Sequence, residues 1–276
     1  MLPRAMVREP AVAGRFYPRE PTHLERDVRR HLAAAGPAAK KTAHPLGCVV
    51  PHAGYMYSGD VAGEVFARLE LPQRFVILCP RHYPQGAPLA ILSEGAWRTP
   101  LGDAEVDTPL ATALMRAFPL LREDATAHAP EHAIEVELPF LQTLTPGFRF
   151  VPISVGTDRY PVMQDLGRAI ARVLAAESER VLVMASSDMN HYENDEITRR
   201  KDALAIERVL ALDPRGLYDV VRRESISMCG YAPTVAMLAA VKELGASKAE
   251  LLRYATSAEV SGDYNKVVGY AGVAVT

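Results

Sequence analysis

The sequence is poor in cysteine, with three residues in 276. That is too few for a disulfide framework, and an odd count suits a reducing compartment where a thiolate can serve as ligand or nucleophile. An excess of either charge is also missing. Lys and Arg number 31 against 33 Asp and Glu, a formal net charge of -2, and the basic residues form no long run. Neither nucleic acid nor an anionic membrane is expected as a partner. The longest apolar runs, such as those within VVGYAGVAV, fall well short of the roughly 20 residues a membrane span needs. The N-terminus MLPRAMVREPAVAGRFYP has early positive charge but not the apolar stretch of a secretory signal. These absences point to a protein in solution, in the cytoplasm. Several catalytic signatures are absent as well: no GxxxxGK phosphate loop, no GxGxxG after a strand, no GxSxG elbow, no CxxC pair and no HExxH.

What is present is an alternation of strands and helices. Hydrophobic residues make up 49% of the chain, enough for a sizeable core. Strands are expected at Gly47 to Pro51, FVILC (75–79), FRFVPISVG, RVLVMAS, ELLRYATS and KVVGYAGVAV. The first two lie about thirty residues apart, the spacing of a βαβ crossover and of parallel pairing. PLAILSEG and the segment around Trp97 suggest a hairpin. Helices are expected from Thr22 as N-cap with Glu25 in a capping box, and from Ser58 as N-cap with Asp60 in its first turn. Others are expected from Thr108, from Pro130 through EHAIEVELPFLQTL, and over 162–176. Two more fall between Asp195 and Glu224, and a last over 233–244. Ala33 to Pro45 reads as a loop. The pattern predicts one α/β domain over 1–276, a mostly parallel sheet flanked by helices.

Polar residues concentrate just past the strands. His52 follows VV, His82 follows VILC, and Asp188 and His191 follow VLVM; in a parallel sheet such ends share one edge, where open α/β folds keep their ligands. A lone histidine there is ordinarily a turn residue, and the recurrence is what argues for a common pocket. Tyr55 and Tyr57 could line it or simply pack on the next helix. Asp188 and His191, three apart in SSDMNHY, would share one face of a helical turn, unless Ser186, Ser187 or Asp188 only caps a helix. Cys229 sits in a loop beside Gly230, ahead of a helix whose N-terminus would lower its thiol pKa. Cys48 and Cys79, inside apolar strands, read as buried core. Two imidazoles and a thiolate would suit iron, copper or zinc. His128, Glu131, His132 and Glu135 form a further cluster. A solvated helix start is its plain explanation, with His132 a possible pocket residue.

VAGRFYP, PHAGYMYSG, CPRHY, the Trp97 to Gly102 segment, EHAIEVELPFLQ, SSDMNHY, MCGYAP and SGDYNKVVGYAG, in that order, resemble the Memo family. Its bacterial and archaeal members are often called AmmeMemoRadiSam system protein B. The resemblance spans nearly the whole chain. It implies a single α/β fold similar to class III extradiol dioxygenases, which bind non-haem iron. It also implies that His52, His82 and Cys229 stand at the metal-ligand positions, with Asp188 and His191 in the same pocket. The extradiol enzymes complete their iron site with two histidines and a glutamate. Cys229 in the third place is a softer donor, so ring opening does not follow from the fold.

The function expected is therefore a metal-dependent, dioxygenase-like redox role on an unknown small molecule or modified residue. Iron is the first metal, copper or zinc the others, and His191, Asp188 and His132 are the catalytic candidates, His191 for acid/base work. The alternative is a non-catalytic adaptor that captures a peptide or ligand in the same pocket. A thiol enzyme using Cys229 as nucleophile, with His52 or His191 as base, is a third reading. The family name implies association with a radical-SAM protein and an AMMECR-type protein.

Overall fold

The computed structural model describes residues 6–36 and 41–276. In chain order the elements are β1 (Val7–Arg8), α1 (Pro21–Ala33), β2 (Gly47–Val50), α2 (Tyr55–Arg68), β3 (Arg74–Pro80), β4 (Leu89–Ile91), β5 (Ala96–Thr99), β6 (Gly102–Val106), α3 (Thr108–Ala117), β7 (Arg122–Glu123), α4 (Ala125–His128) and α5 (Ala133–Leu144). Then come β8 (Arg149–Val155), α6 (Tyr160–Leu174), β9 (Val181–Ser186), β10 (His191–Glu193), α7 (Asp195–Leu210), α8 (Pro214–Arg223), α9 (Tyr231–Glu243), β11 (Ala249–Thr256), α10 (Ala258–Ser261) and β12 (Val267–Val275).

Continuous apolar runs become the middle of the sheet because a strand covered on both faces has no side to offer water. All seven residues of β3 are buried. Strands β6, β8, β3, β9 and β2 lie side by side in that order, every pair parallel. β12 joins β2 antiparallel and carries β10 and β11, also antiparallel, while β5 and β1 extend the other edge. Side chains alternate between two hydrophobic layers, as the two-residue period of a strand requires. Val76 and Leu78 pack on one side with α6 and α9, whereas Phe75 and Ile77 pack on the other with α2 and α5. Gly167 lets α6 press on α9, since a Cβ there would stand 2.4 Å from the Ala236 carbonyl oxygen. The result is α/β, a mostly parallel sheet flanked by helices, as expected. No helix among the described residues is long and apolar enough to cross a membrane.

Several local expectations are corrected. α1 is capped by Glu20, whose carboxylate accepts from the Thr22 and His23 N–H groups, so Thr22 is inside the helix. α2 starts after Gly54; Ser58 lies in its interior and donates to the Ala53 carbonyl, 3.0 Å away, which takes Asp60 out of the first turn. β2 and β3 are parallel but not adjacent, because β9 returns between them. The hairpin is β5 with β6, while β4 pairs with β7 and β8. α5 begins after His132, which leaves Pro130 outside it. Residues 37–40 of the expected 33–45 loop lie outside the described residues.

The cluster expected at a solvated helix start is buried instead, with Glu131 at 1% and Glu135 at 0% exposure. Glu135 accepts from the backbone of Ala11 (2.8 Å) and Val12 (3.0 Å), from the Tyr17 hydroxyl (2.6 Å), and from the Arg8 guanidinium. Arg8 also donates to the carbonyls of His128 (3.1 Å) and Glu131 (2.6 Å). This buried ion pair fastens the N-terminal arm across α5 and brings Phe16 edge-on to the His132 ring, 4.8 Å between centroids.

Candidate metal centre

Because β2, β3 and β9 run in parallel, the loops that leave their carboxyl ends emerge on one rim. His52 leaves β2, His82 leaves β3, and His132 arrives as the residue preceding α5. One ring nitrogen from each of the three lies within 4.8 Å of the others. His82 and His132 stack, with centroids 4.7 Å apart and planes 18° apart, and His52 stands edge-on to both.

Hydrogen bonds select which nitrogen each ring offers. His82 Nδ1 is 2.8 Å from Glu131 Oε1. An ionised carboxylate only accepts, so Nδ1 carries the proton and Nε2 is left bare. The Ser186 hydroxyl donates to the Ala133 carbonyl (3.4 Å) and accepts from His52 Nδ1 (2.8 Å), which frees His52 Nε2 in the same way. Such outer partners fix tautomer and ring direction at metal sites. His132 Nδ1 is buried and has no hydrogen-bond partner among the described residues; Glu131 Oε1, 3.7 Å away, is beyond reach.

For His52 and His132 the protonation states agree with this arrangement. Burial, helped by the charge of His82, pushes the His52 pKa well below the ordinary histidine range. Burial and then the charge of His52 bring His132 down to about 4. Both rings are therefore neutral at pH 7, the form that binds metal. Burial lowers the His82 pKa too, but the hydrogen bond and charge of Glu131 outweigh it and the net direction is up. Burial works against the Glu131 carboxylate, yet the His82 ring, its charge and its backbone N–H hold it at about 2.

The remaining predicted residues surround this group. Cys229 Sγ lies 3.4 Å from His52 Nε2 and accepts from the Asp188 N–H at 3.3 Å. Burial and then the Asp188 charge raise its thiol pKa well above the usual value, so the expectation that the following helix would lower it fails on desolvation. Gly230 sets the sulfur's place. A Cβ on it would fall 2.2 Å from the Ser186 carbonyl oxygen and 2.4 Å from Ser187 Cβ, so only glycine lets this loop lie against the end of β9. Asp188 Oδ1 accepts from the His52 backbone N–H at 2.8 Å, and burial raises its pKa. Asp188 and His191 form no helical turn: His191 opens β10, opposite Val268 of β12. Its Nδ1 donates to the Ser227 carbonyl at 2.9 Å, which leaves Nε2 free as an acceptor.

His52, His82, His132, Asp188, His191 and Cys229 all line a single cleft of about 1090 Å³, together with Phe16, Tyr57 and Tyr270. The convergent nitrogens, however, are those of the three histidines, and Cys229 adjoins them through His52 alone. Reasoning from the sequence underrated Glu131 and passed over Ser186 and Ser227 as hydrogen-bond partners. Ser186 is marked in the sequence only as a helix-cap candidate and Ser227 not at all, whereas Glu131 stands next to a pocket histidine. Cys48 and Cys79 are fully buried core, as expected.

A family model described as "Memo-like protein" matches residues 8–274. A MEMO1 family protein of Methanopyrus kandleri is 45% identical over 278 residues, covering 97% of this chain and 98% of its own. Another from Methanothermobacter thermautotrophicus is 40% identical and covers 96% and 99%. A third from Methanocaldococcus jannaschii is 41% identical and covers 98% and 99%. Among solved structures, that of an uncharacterized protein from Escherichia coli K12 superposes with a TM-score of 0.51 at 14% identity, over 82% of this chain and 98% of the other, a likeness of fold.

Proposed function

This chain belongs to the Memo family, and on that premise we propose that it is a metal-dependent, dioxygenase-like redox protein acting on a small molecule or modified residue. The observation that carries the proposal is the convergence of three ring nitrogens within 4.8 Å. His52 and His82 would hold the ion through their bare Nε2 atoms, with His132 and Cys229 as the adjoining donors. Imidazole nitrogens suit iron, copper and zinc alike; iron is the metal proposed, because the family resembles non-haem iron dioxygenases. Bound iron supplies one-electron chemistry and open positions for oxygen and substrate.

The chain's own residues do the positioning. Glu131 fixes the His82 ring, Ser186 fixes that of His52, and Asp188 holds the His52 backbone. His191, its Nδ1 tied to Ser227, presents Nε2 to the cleft and is the group proposed to accept a proton from substrate. Metal analysis of untagged protein prepared without oxygen tests the reading. Iron or copper near one per chain, present as isolated or after reconstitution, is the expected result, and neither metal above background in both preparations would sink it. A cytoplasmic setting and association with a radical-SAM protein and an AMMECR-type protein are parts of the same proposal, checked by fractionation and co-purification.

The size of the cleft favours a second reading. About 1090 Å³ is at the upper end of small-molecule sites and has room for a peptide side chain or ligand without turnover. An adaptor would bind its partner equally well after chelation and after Cys229→Ala, whereas a metal-dependent enzyme would not.

A further inference from the structure

A second cavity, of about 890 Å³, lies next to the histidine cleft and shares with it only His82 and Cys229. It opens beyond the carboxyl ends of β3 and β8, which pair in parallel through Pro80 and Val155. Three arginines line it, Arg81, Arg122 and Arg159, against a single acidic residue, Asp158. None of the three arginines has a carboxylate partner among the described residues. Arg81 donates to the Pro84 and Gly86 carbonyls, which orient it without neutralising it, and its buried Nε has no partner among the described residues.

The backbone adds to the positive field. α6 and α9, helices of 15 and 13 residues, both begin without a side-chain cap. Arg159 and Val162 at the start of one, and Tyr231 and Ala232 at the start of the other, line this cavity. The Val162 N–H is taken by the Arg159 carbonyl (3.0 Å) and the Tyr231 N–H by the Met228 carbonyl (3.4 Å), so what the two helix ends add is their dipoles, each worth about half a positive charge, which favour an anion. Arginine forks match the planar or tetrahedral oxygens of carboxylate and phosphate. The same cavity has an apolar wall that includes Leu89, Leu120 and Val155, so it offers room for more than a bare ion.

We propose that this cavity binds the oxyanion end of a small substrate, a carboxylate or a phosphate ester, whose other end reaches the histidine cleft past His82 and Cys229. Calling the ligand a substrate rests on the metal-centre reading; the binding of the anion does not, and the two are separable.

The test is calorimetric titration of the full chain, at low ionic strength, with inorganic phosphate and with benzoate. Saturable binding of at least one is expected, weakened tenfold or more by Arg122→Ala with Arg159→Ala. Asp158→Asn is expected to tighten binding severalfold, since it removes the one opposing charge. Arg168→Ala with Arg172→Ala, on a remote face, and His132→Ala, in the metal cluster, should leave the affinity unchanged. If phosphate binds more tightly, the substrate group is a phosphate ester; if benzoate does, it is a carboxylate. Absence of saturable binding by both, no change in the Arg122/Arg159 variant, or equal loss in the remote pair would overturn the assignment. The arginines changed are exposed, and thermal melting confirms that each variant is folded. Loss of metal binding in His132→Ala with phosphate binding intact separates this cavity from the metal centre.

Discussion

Glu131 Oε1 lies 2.8 Å from His82 Nδ1, and its other oxygen accepts from the His82 backbone N–H at the same distance. One buried carboxylate thus fixes both the position and the tautomer of a candidate ligand. It also accepts from the Ala133 N–H at 3.0 Å, which ties the His82 loop to the start of α5 and so to His132.

Glu131→Gln therefore tests the outer support of the centre. Loss of the charge removes what holds the His82 proton on Nδ1, and metal affinity should fall about 10- to 100-fold, the usual scale for such partners. Competition titration against a chromophoric chelator measures it. Unaltered affinity would show that His82 is not held to a metal in this way.

His132→Ala and Cys229→Ala rank the donors. The nitrogens of His52, His82 and His132 converge, while the sulfur, 3.4 Å from His52 Nε2, lies outside that set and burial disfavours its thiolate. His132→Ala should weaken metal binding more than Cys229→Ala. The opposite order, read by metal stoichiometry and dissociation constants, would favour the set of His52, His82 and Cys229.

Gly230→Ala should displace Cys229. The added methyl meets the Ser186 carbonyl oxygen at 2.2 Å and Ser187 Cβ at 2.4 Å, and neither a backbone oxygen nor a Cβ can swing aside as the end of a long side chain could. A loss of about 1–3 kcal/mol in urea unfolding is expected, as for other overpacked sites. Faster reaction of Cys229 with a thiol reagent should accompany it, and a variant as stable and as slow to react as the parent would refute the account.

His128 gives the fold an acid sensitivity away from the metal cluster. It is fully buried, neither ring nitrogen has a hydrogen-bond partner among the described residues, and burial followed by the Arg8 charge lowers its pKa to about 4. An unfolded histidine titrates near 6.5. Between these values the unfolded chain binds the extra proton and the folded chain does not, so stability is full above about pH 6.5 and declines as pH falls toward 4. His128→Phe should remove about 3 kcal/mol of that decline, seen as a smaller difference in unfolding free energy between pH 7 and pH 4. An identical pH slope in parent and variant would contradict it.

Much of the architecture could be read from the chain. The runs FVILC and RVLVMAS are strands because each is a short stretch rich in Val, Leu and Ile, too brief for a helix, and each ends where a polar residue begins. His52, His82 and Asp188 could be assigned to one rim for that reason. Boundaries were less legible, since Glu20 caps α1 from outside the expected start and Gly54 releases α2 earlier than Ser58 suggested. Such choices turn on which neighbouring side chain reaches the free N–H groups, and several can.

The role of His132 and Glu131 was the part that local pattern could not reach. In sequence they sit at a charged helix start, and a solvated face is the ordinary outcome. Only the Arg8 and Glu135 pair, 127 positions apart, draws the N-terminal arm over α5 and buries the cluster against the ends of the strands.

The sequence by itself determined the alternation of buried strands and covering helices, and with it the rim on which polar residues collect, because burial of apolar runs is a local property of composition and period. Tertiary structure alone decided which of those residues meet. Ring tautomers, the convergence of three imidazoles and the uncapped helix ends around the arginine cavity depend on contacts between residues remote in the chain, and no spacing within one segment encodes them.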